Sequence, residues 1–394
     1  MVSETPGLTT IAYADHAVEK GGAEVSLLLL LKRLDRSAFR PVLLHAPDAE
    51  WLADLTQAQV ELVAIFKDSS LLRLRRGDVA GGLWRNLSRI ARASGALWDI
   101  SRAIRGTRAR LLHSNTLKCH LLAGAAARLA GARVIWHMRD IVTEPAALNL
   151  LRWAGRVVRP HIIAISQAVA RSVQHLGCPV EVVYNGVPLD AFKPGPPNPA
   201  LVAELSIEPH HRVLMTVARL TPWKGHQELL RAMPAILSRF PDARLLVVGG
   251  PKFWDESYAE ELRRLAQHLG VNHAVRWLGH RNDVAELLRL CEVFVLPSRD
   301  EPFGRALVEA MATAKPVVAG SSGAAPEVCP DGECGLLVDP ADPGEIAQAV
   351  IELLANPEHA QALGLRGRER AAQLFDVTAT TKRIEDIYRR LLDR

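Results

Sequence analysis

The sequence predicts an α/β protein made of two doubly wound domains facing a central cleft. Three observations lead there. Short apolar, β-rich runs alternate with longer helical patterns along nearly the whole chain, which gives parallel sheets with helical crossovers. The alternation breaks once, at "FKPGPPNPA" (Phe192–Ala200), where four prolines and one glycine in nine residues exclude helix and central strand. The length, 394 residues, is too great for one ordinary domain and suits two. The division read from this is a first domain over 1–191, a linker over 192–200, a second domain over 201–376 and a C-terminal helix over 377–394. That helix, an amphipathic segment over Val377–Arg394, is able to pack on either domain and is expected to return to the first.

Taken in order, the first domain's strands are predicted at Thr9–Ala14, Arg40–Ala46, Ala109–Ser114, Arg133–Met138, His161–Ser166 and Val180–Asn185. The second domain's are predicted at Arg212–Leu220, Ala243–Gly250, Ala274–His280, Val293–Ser298, Lys315–Gly320 and Gly335–Pro340. No repeat of fixed period is apparent.

Apolar residues make up 48% and charged residues 23%, the mix of a soluble globular chain. A net charge of +5 permits phosphates or anionic lipid as partners without choosing between them. The five cysteines are odd in number and scattered, so reduced, structural thiols are expected rather than a disulfide framework. Cys329 and Cys334 lie close in sequence, but no Cys/His pair stands near enough to complete a zinc site. The opening "MVSETPGLTTIAYADHA" has an early acid, no basic start and no long apolar core, so it does not read as a signal peptide. The leucine run Ser26–Leu34 is far short of the ~20 residues that span a bilayer. A cytoplasmic protein is expected, peripheral on the inner face of the membrane.

Four stretches carry chemistry. In "DEPFGRALVEA" (Asp300–Ala310), two acids straddle a strand-to-helix turn. Glu309 sits in an apolar helix, where a carboxylate needs a partner, either ligand hydroxyls or an arginine. Glu301 is placed in an exposed turn. Gly304 lets backbone approach a ligand, and the N–H groups of the following helix favour an anion. In "VARLTPWKGH" (Val217–His226), Arg219 and Lys224 follow a strand at the edge that faces the ligand crevice of open α/β sheets. Two cations beside a helix start suit a diphosphate; the alternative is a pair of solvated loop charges. Gly21 and Gly22 open a helix after the first strand, without the G-x-G-x-x-G or P-loop pattern. They form either a phosphate-approach loop or a plain turn. In "IWHMRD" (Ile135–Asp140), His137 stands at a strand's end, as a site residue or as an ordinary core histidine.

Together, "EPFGxxxxE" (Glu301 to Glu309), "ARLxxxKG" (Ala218 to Gly225), "GGAE", "YNGVPLDAF" (Tyr184–Phe192) and "DGECGLLVDP" (Asp331–Pro340) resemble the retaining glycosyltransferases of family 4, over nearly the whole chain and in the expected order. The resemblance implies the GT-B fold, two Rossmann-like domains, and a nucleotide-sugar donor. It implies that Arg219 and Lys224 hold the donor diphosphate, helped by backbone at Phe303 and Gly304 and by Gly21 and Gly22. It implies that Glu309 binds the ribose, that Glu301 binds donor-sugar hydroxyls, that His137 lies beside the sugar, and that Leu278 lies near the base. The implied catalytic set is His137, Glu301, Arg219 and Lys224. No D-x-D motif stands out, and the family's usual pattern needs neither a cofactor nor a metal.

The expected acceptor is a cell-envelope or lipid-linked glycan. Leu71–Leu112 holds ten arginines and two acids, with Arg85, Arg89 and Arg92 on one helix face and Trp84, Leu87 and Ile90 elsewhere around it. That composition suits an anionic membrane surface, or a merely solvated face. No nucleic-acid partner is expected. Two other readings compete: a non-catalytic nucleotide-sugar-binding or scaffold protein, and an epimerase or glycan phosphorylase on the same architecture. The intact set of five charged and imidazole groups disfavours the first, and the absence of a lysine-bearing pyridoxal phosphate signature disfavours the second.

Overall fold

The parallel sheets expected from the alternation are both present. The structure, a computed structural model, describes residues 8–56, 58–65, 83–251 and 256–393, with backbone alone for 56 and 83–93. It divides into two units, Met1–Gly186 with Val377–Arg394, and Val187–Asp376.

Among the described residues the first unit holds seven strands: β1 (Thr9–Asp15), β2 (Phe39–His45), β3 (Glu61–Ala64), β4 (Leu111–Ser114), β5 (Arg133–Met138), β6 (His161–Ala164) and β7 (Val180–Val182). Their order is β3-β2-β1-β4-β5-β6-β7, and every neighbouring pair is parallel. Helices cover both faces, so the strands read as apolar runs rather than alternations. Ile11 to Ala14 of β1 are fully buried. The leucine run folds as the helix Gly22–Arg33, burying Leu27, Leu28, Leu30 and Leu31 against this sheet. β3 is absent from the strands expected. It is a four-residue edge strand, half-buried to exposed, so its composition carries little signal.

The C-terminal helix Val377–Leu392 belongs to this first unit. Its Ile384, Ile387 and Tyr388 join Ile11, Tyr13, Leu27 and Phe39 in one core. Glu385 accepts the Asp35 amide at 2.7 Å.

The second unit holds β8 (Arg212–Val217), β9 (Ala243–Val248), β10 (Val275–Gly279), β11 (Val293–Leu296), β12 (Val317–Gly320) and β13 (Leu336–Val338). Their order is β10-β9-β8-β11-β12-β13, parallel throughout. Its core joins Leu214, Leu245, Val295 and Val318 of the strands to Leu229, Met233, Ile346 and Val350 of the helices.

The boundary differs from the one expected. The chain passes between units at Gly186–Val187 and at Asp376–Val377, and Phe192–Ala200 lies inside the second unit. Its prolines keep 192–198 out of helix and strand, and Pro199 opens the next helix, but none of this prevents packing. Phe192 is buried, its amide donates to the Pro188 carbonyl at 3.0 Å, and Asn198 caps the helix Pro199–Glu204. Backbone closeness marks the true crossing. A Cβ on Gly186 would lie 2.3 Å from the Val377 Cα.

In each sheet the order reverses beside the first strand of the unit, between β1 and β4 and between β8 and β11. Such switch points open a crevice at the carboxyl ends of the strands. No helix among the described residues is long and apolar enough to cross a membrane. Of the arginine-rich stretch, 71–82 lie outside the described residues, as do the side chains of Arg85, Arg89 and Arg92 and those of Trp84, Leu87 and Ile90; so do 1–7 of the N-terminus.

Candidate functional site

In the second unit, the loops that follow β8, β11 and β12 are stitched together at the carboxyl edge. Gly225, with φ +75°, sits so close to the β11 loop that a Cβ would lie 2.1 Å from the Pro297 carbonyl oxygen. The Arg299 amide donates to the Trp223 carbonyl at 2.8 Å. Gly323, with φ +70°, is pressed against the Glu301 backbone, where a Cβ would lie 2.5 Å from both the Glu301 nitrogen and its carbonyl oxygen. Only glycine fits either position.

This stitching brings two of the sequence-predicted residues into contact. The Lys224 ammonium lies 2.5 Å from a Glu301 carboxylate oxygen, with the two side chains 12% and 9% exposed. The ammonium also stands 4.0 Å from the centre of the Trp223 ring. Glu301 is therefore not the exposed acid expected. Its carbonyl accepts the Ala324 amide at 2.8 Å, and the residue is 7% exposed. The sequence placed it correctly in a loop but could not show that another loop covers it.

Arg219 follows β8 as expected. Its side chain is exposed and has no hydrogen-bond partner among the described residues. Beside Lys224, His226 opens the helix His226–Arg239 and is 3% exposed. Burial, and then the nearby Lys224 charge, hold its imidazole neutral, down to about 4.

Gly304, with φ +81°, caps the eight-residue helix Arg305–Ala312. Phe303 buries its ring edge-on against Phe375, with centroids 5.6 Å apart, which leaves the backbone to turn into the helix. Glu309 is buried at 7% exposure, and the partner it meets is an arginine: the Arg305 Nε donates to it at 2.7 Å. The Arg305 Nη1 is buried and without a partner. Leu278 is half-buried near the end of β10, where the register shifts between Trp277 and Gly279.

In the first unit, Gly21 and Gly22 stand where the sequence put them, at the start of the helix after β1. The Gly21 amide is already taken, donating to the Glu24 carboxylate at 2.7 Å. His137 lies in β5, one residue from its end, and is 2% exposed. Its neighbours fix its protonation. Arg139 has only protons to give, and its Nη2 lies 3.3 Å from the His137 Nδ1, so that nitrogen accepts. The His113 Nε2, 2.9 Å from the same atom, must then donate. The His113 Nδ1 accepts from the Tyr388 hydroxyl at 2.7 Å. Both imidazoles are neutral, held well below their ordinary value by burial and then by the Arg139 charge. The proton left to His137 is on Nε2, which is buried and unpartnered. His137 is thus a hydrogen-bond donor and not a base.

Sequence reasoning missed the residue that organises this edge. Arg139, just past β5, donates to Asn115 at 2.5 Å and to Asn185 at 2.7 Å. Asn115 in turn donates to Asp15 at 2.6 Å. Burial pulls Arg139 down to about 10. Burial, and then the Glu24 charge, push Asp15 up to about 7. Arg139 stands two residues after His137 in the stretch that drew attention, but partners 24 and 46 residues away are invisible to periodicity.

The cysteines are free thiols, four buried and one half-buried. Metal-ligand types gather among the described residues at Glu208, His210 and His211, whose ligating atoms lie within 4.8 Å of one another. They precede β8, at the opposite edge of the sheet from Lys224 and Glu301.

Comparison with known proteins identifies the family and the fold. The family model described as "Glycosyltransferase Family 4" matches residues 20–191, and that described as "Glycosyl transferases group 1" matches 199–370. The chain is 35% identical over 265 residues to a GDP-mannose-dependent alpha-(1-6)-phosphatidylinositol monomannoside mannosyltransferase of Mycolicibacterium smegmatis, covering 63% of this chain and 68% of that one. It is 33% identical over 215 residues to a D-inositol 3-phosphate glycosyltransferase of Corynebacterium kroppenstedtii, covering 53% and 48%. The match spans about half the length of that relative. Among solved structures, HepE of Anabaena in complex with UDP superposes with a TM-score of 0.81 at 25% identity, covering 96% of this chain and 99% of that one.

Proposed function

The chain belongs to glycosyltransferase family 4 and has the GT-B fold, and from that premise we propose that it moves a hexose-type sugar from a nucleoside diphosphate to an acceptor hydroxyl, retaining the anomeric configuration and using no divalent metal. The observation that carries this reading is the Lys224–Glu301 pair, held at 2.5 Å at the carboxyl edge of a doubly wound sheet, in a loop whose Arg219 has no hydrogen-bond partner among the described residues.

Breaking the bond from the anomeric carbon to phosphate builds positive charge on the sugar and negative charge on the diphosphate. Arg219 and Lys224 meet the growing negative charge, assisted by amides at the start of the Arg305–Ala312 helix. One such preorganised donor is worth ~3–4 kcal/mol in the transition state. Two cations do there what a bound metal does elsewhere, so EDTA should leave most of the activity intact. Complete loss, restored by Mg²⁺ or Mn²⁺, would refute the metal-free part.

Glu301 holds Lys224 before donor binds and shares its oxygens with sugar hydroxyls afterwards. Glu309 binds the ribose hydroxyls with the oxygen that Arg305 leaves free. His137 donates through Nε2 to the sugar, and Arg139 keeps that proton on Nε2. No side chain is assigned as a nucleophile: the leaving phosphate itself takes the acceptor's proton on the same face.

The acceptor we propose is a cell-envelope or lipid-linked glycan, reached at the cytoplasmic face of the membrane. The phosphatidylinositol mannoside named for the mycobacterial relative supports this choice. A thermal-shift screen against UDP-, GDP-, ADP- and TDP-sugars tests the reading, since a bound ligand raises apparent stability by mass action. A clear rise with one base is expected. No rise with any of them, and none with the bare diphosphates, would overturn it.

A further inference from the structure

We propose that the first unit carries a second anion site, a basin for phosphate groups at the amino edge of its sheet. A cavity of about 420 Å³ lies there, lined by Arg105, Arg108, Arg110 and Arg133, with Leu392 and the Ala130–Gly131 turn completing its wall. Arg110 immediately precedes β4, and Arg133 begins β5. In a parallel sheet this edge is opposite the one that carries Asn115, Arg139 and the Gly21–Gly22 turn, so the basin is no part of the site described above.

Arginines at helix ends often do no more than cap carbonyls. Three helices end at this basin, Leu83–Thr107, Leu117–Leu129 and Val377–Leu392. Two of the guanidiniums do cap: Arg105 donates to the Leu129 carbonyl at 2.7 Å and Arg110 to the Leu392 carbonyl at 3.2 Å. Capping does not exhaust them. Each guanidinium has five N–H donors. Arg133 is half-buried and has no side-chain partner among the described residues. Three helix ends bring roughly half a negative charge each, against the full positive charges of Arg105, Arg110 and Arg133 alone, and no Asp or Glu among the described residues lines the cavity. A net positive basin remains, with two of its forks already held in place by the carbonyls.

Guanidinium forks match phosphate oxygens bidentately, and the volume falls in the usual range for small-molecule sites, ~300–1,000 Å³. The ligand class is therefore a phosphate-bearing compound. Two exposed apolar side chains lie on the helices that end at the basin. Leu129, whose carbonyl holds Arg105, is 64% exposed, and so is Trp98, two turns before Arg105 on the same helix. A phospholipid headgroup and a soluble phosphorylated compound share the chemistry, and the test separates them.

Inorganic pyrophosphate is added to the full chain, and arginine labelling by phenylglyoxal is followed by mass spectrometry. In parallel, the chain is floated with vesicles of phosphatidylcholine, with and without phosphatidylglycerol. Two double variants are compared, Arg105→Gln with Arg133→Gln, and Arg108→Asn with Arg110→Gln. The second pair keeps the left-handed backbone at 108 (φ +57°), which Asn tolerates. The expected result is protection of Arg105, Arg108, Arg110 and Arg133 by pyrophosphate, or salt-sensitive binding to the anionic vesicles, or both. Each double variant should weaken it roughly tenfold or more. Response to pyrophosphate alone assigns a soluble ligand, and response to vesicles alone assigns a lipid headgroup. Protection confined to Arg219 with no preference for anionic vesicles, or binding indifferent to both pairs of substitutions, would overturn the proposal.

Discussion

Changing Glu301 to Gln removes the charge that neutralises Lys224 while keeping the side chain's shape. The pair is 2.5 Å apart, and both side chains are about nine-tenths buried. Stripping one partner from a buried ion pair costs about 3–5 kcal/mol. Here the loss is smaller. The amide oxygen still accepts from the ammonium, and the Trp223 ring at 4.0 Å still faces it. A fall of about 2 kcal/mol in the stability of the second unit is expected. The released ammonium then has a freer choice of anion. Bare nucleoside diphosphate should bind the variant as tightly as the parent, or up to about tenfold tighter, which is ~1.4 kcal/mol. Sugar transfer should nonetheless fall by ~100-fold or more, because the lost carboxylate would have met sugar hydroxyls. Urea denaturation with and without nucleoside diphosphate, calorimetry with the same ligand, and acceptor-dependent release of nucleoside diphosphate measure the three quantities. The reasoning is refuted if Glu301→Gln loses nucleotide affinity as fully as Lys224→Ala does. The carboxylate would then serve only to aim the lysine.

Arg219→Ala should cost less than ~0.5 kcal/mol of stability, since the side chain is exposed and has no hydrogen-bond or ion-pair partner among the described residues, yet it should lower kcat by ~100-fold or more. Near-parent turnover at saturating donor would remove Arg219 from the diphosphate. Glu309→Gln should weaken nucleoside diphosphate binding by ~1–3 kcal/mol in calorimetry; unchanged affinity would reduce Glu309 to the partner of Arg305. Stability should also depend on acid. The folded state holds His226 near 4, below its ordinary 6.5, so the unfolded chain binds more protons between those values. Stability of the second unit should therefore fall as pH drops from 6.5 to about 4. In the first unit Asp15, raised to about 7, contributes in the opposite sense, while His16, His113, His120 and His137, all lowered by burial, act in the same sense as His226. Urea midpoints across this range, with His226→Gln flattening the slope in the second unit, check the sign.

The strands were legible wherever burial on both faces made them apolar. β5 runs over Arg133–Met138 as read, and β8 starts at Arg212 as read, because parallel strands under helices have no polar face to confuse the pattern. β3, half-exposed at the sheet edge, was not legible for the same reason inverted. Proline content misled at Phe192–Ala200, since it reports a break between regular elements rather than the absence of packing. In the candidate site, the order of strand and loop put Arg219, Lys224 and Glu301 after β8 and β11 and Glu309 in the helix that follows, as the structure has them. It did not show that Glu301 is covered by Gly323 or that Glu309 already holds Arg305. The His137–His113–Tyr388 chain joins residues up to 275 apart. Nothing local records which nitrogen of His137 keeps its proton.

The central claim is that this chain transfers a sugar with its configuration kept. Once the screen has chosen a donor, the purified chain is supplied with that donor and a lipid-linked glycan acceptor. Release of nucleoside diphosphate and the anomeric proton of the new linkage are followed in one sample by NMR. The account predicts release that depends on acceptor, and a product with the same anomeric configuration as the donor. Acceptor-dependent release with an inverted product would contradict the proposed mechanism. No acceptor-dependent release, from a protein that binds the donor, would contradict the claim of catalysis itself.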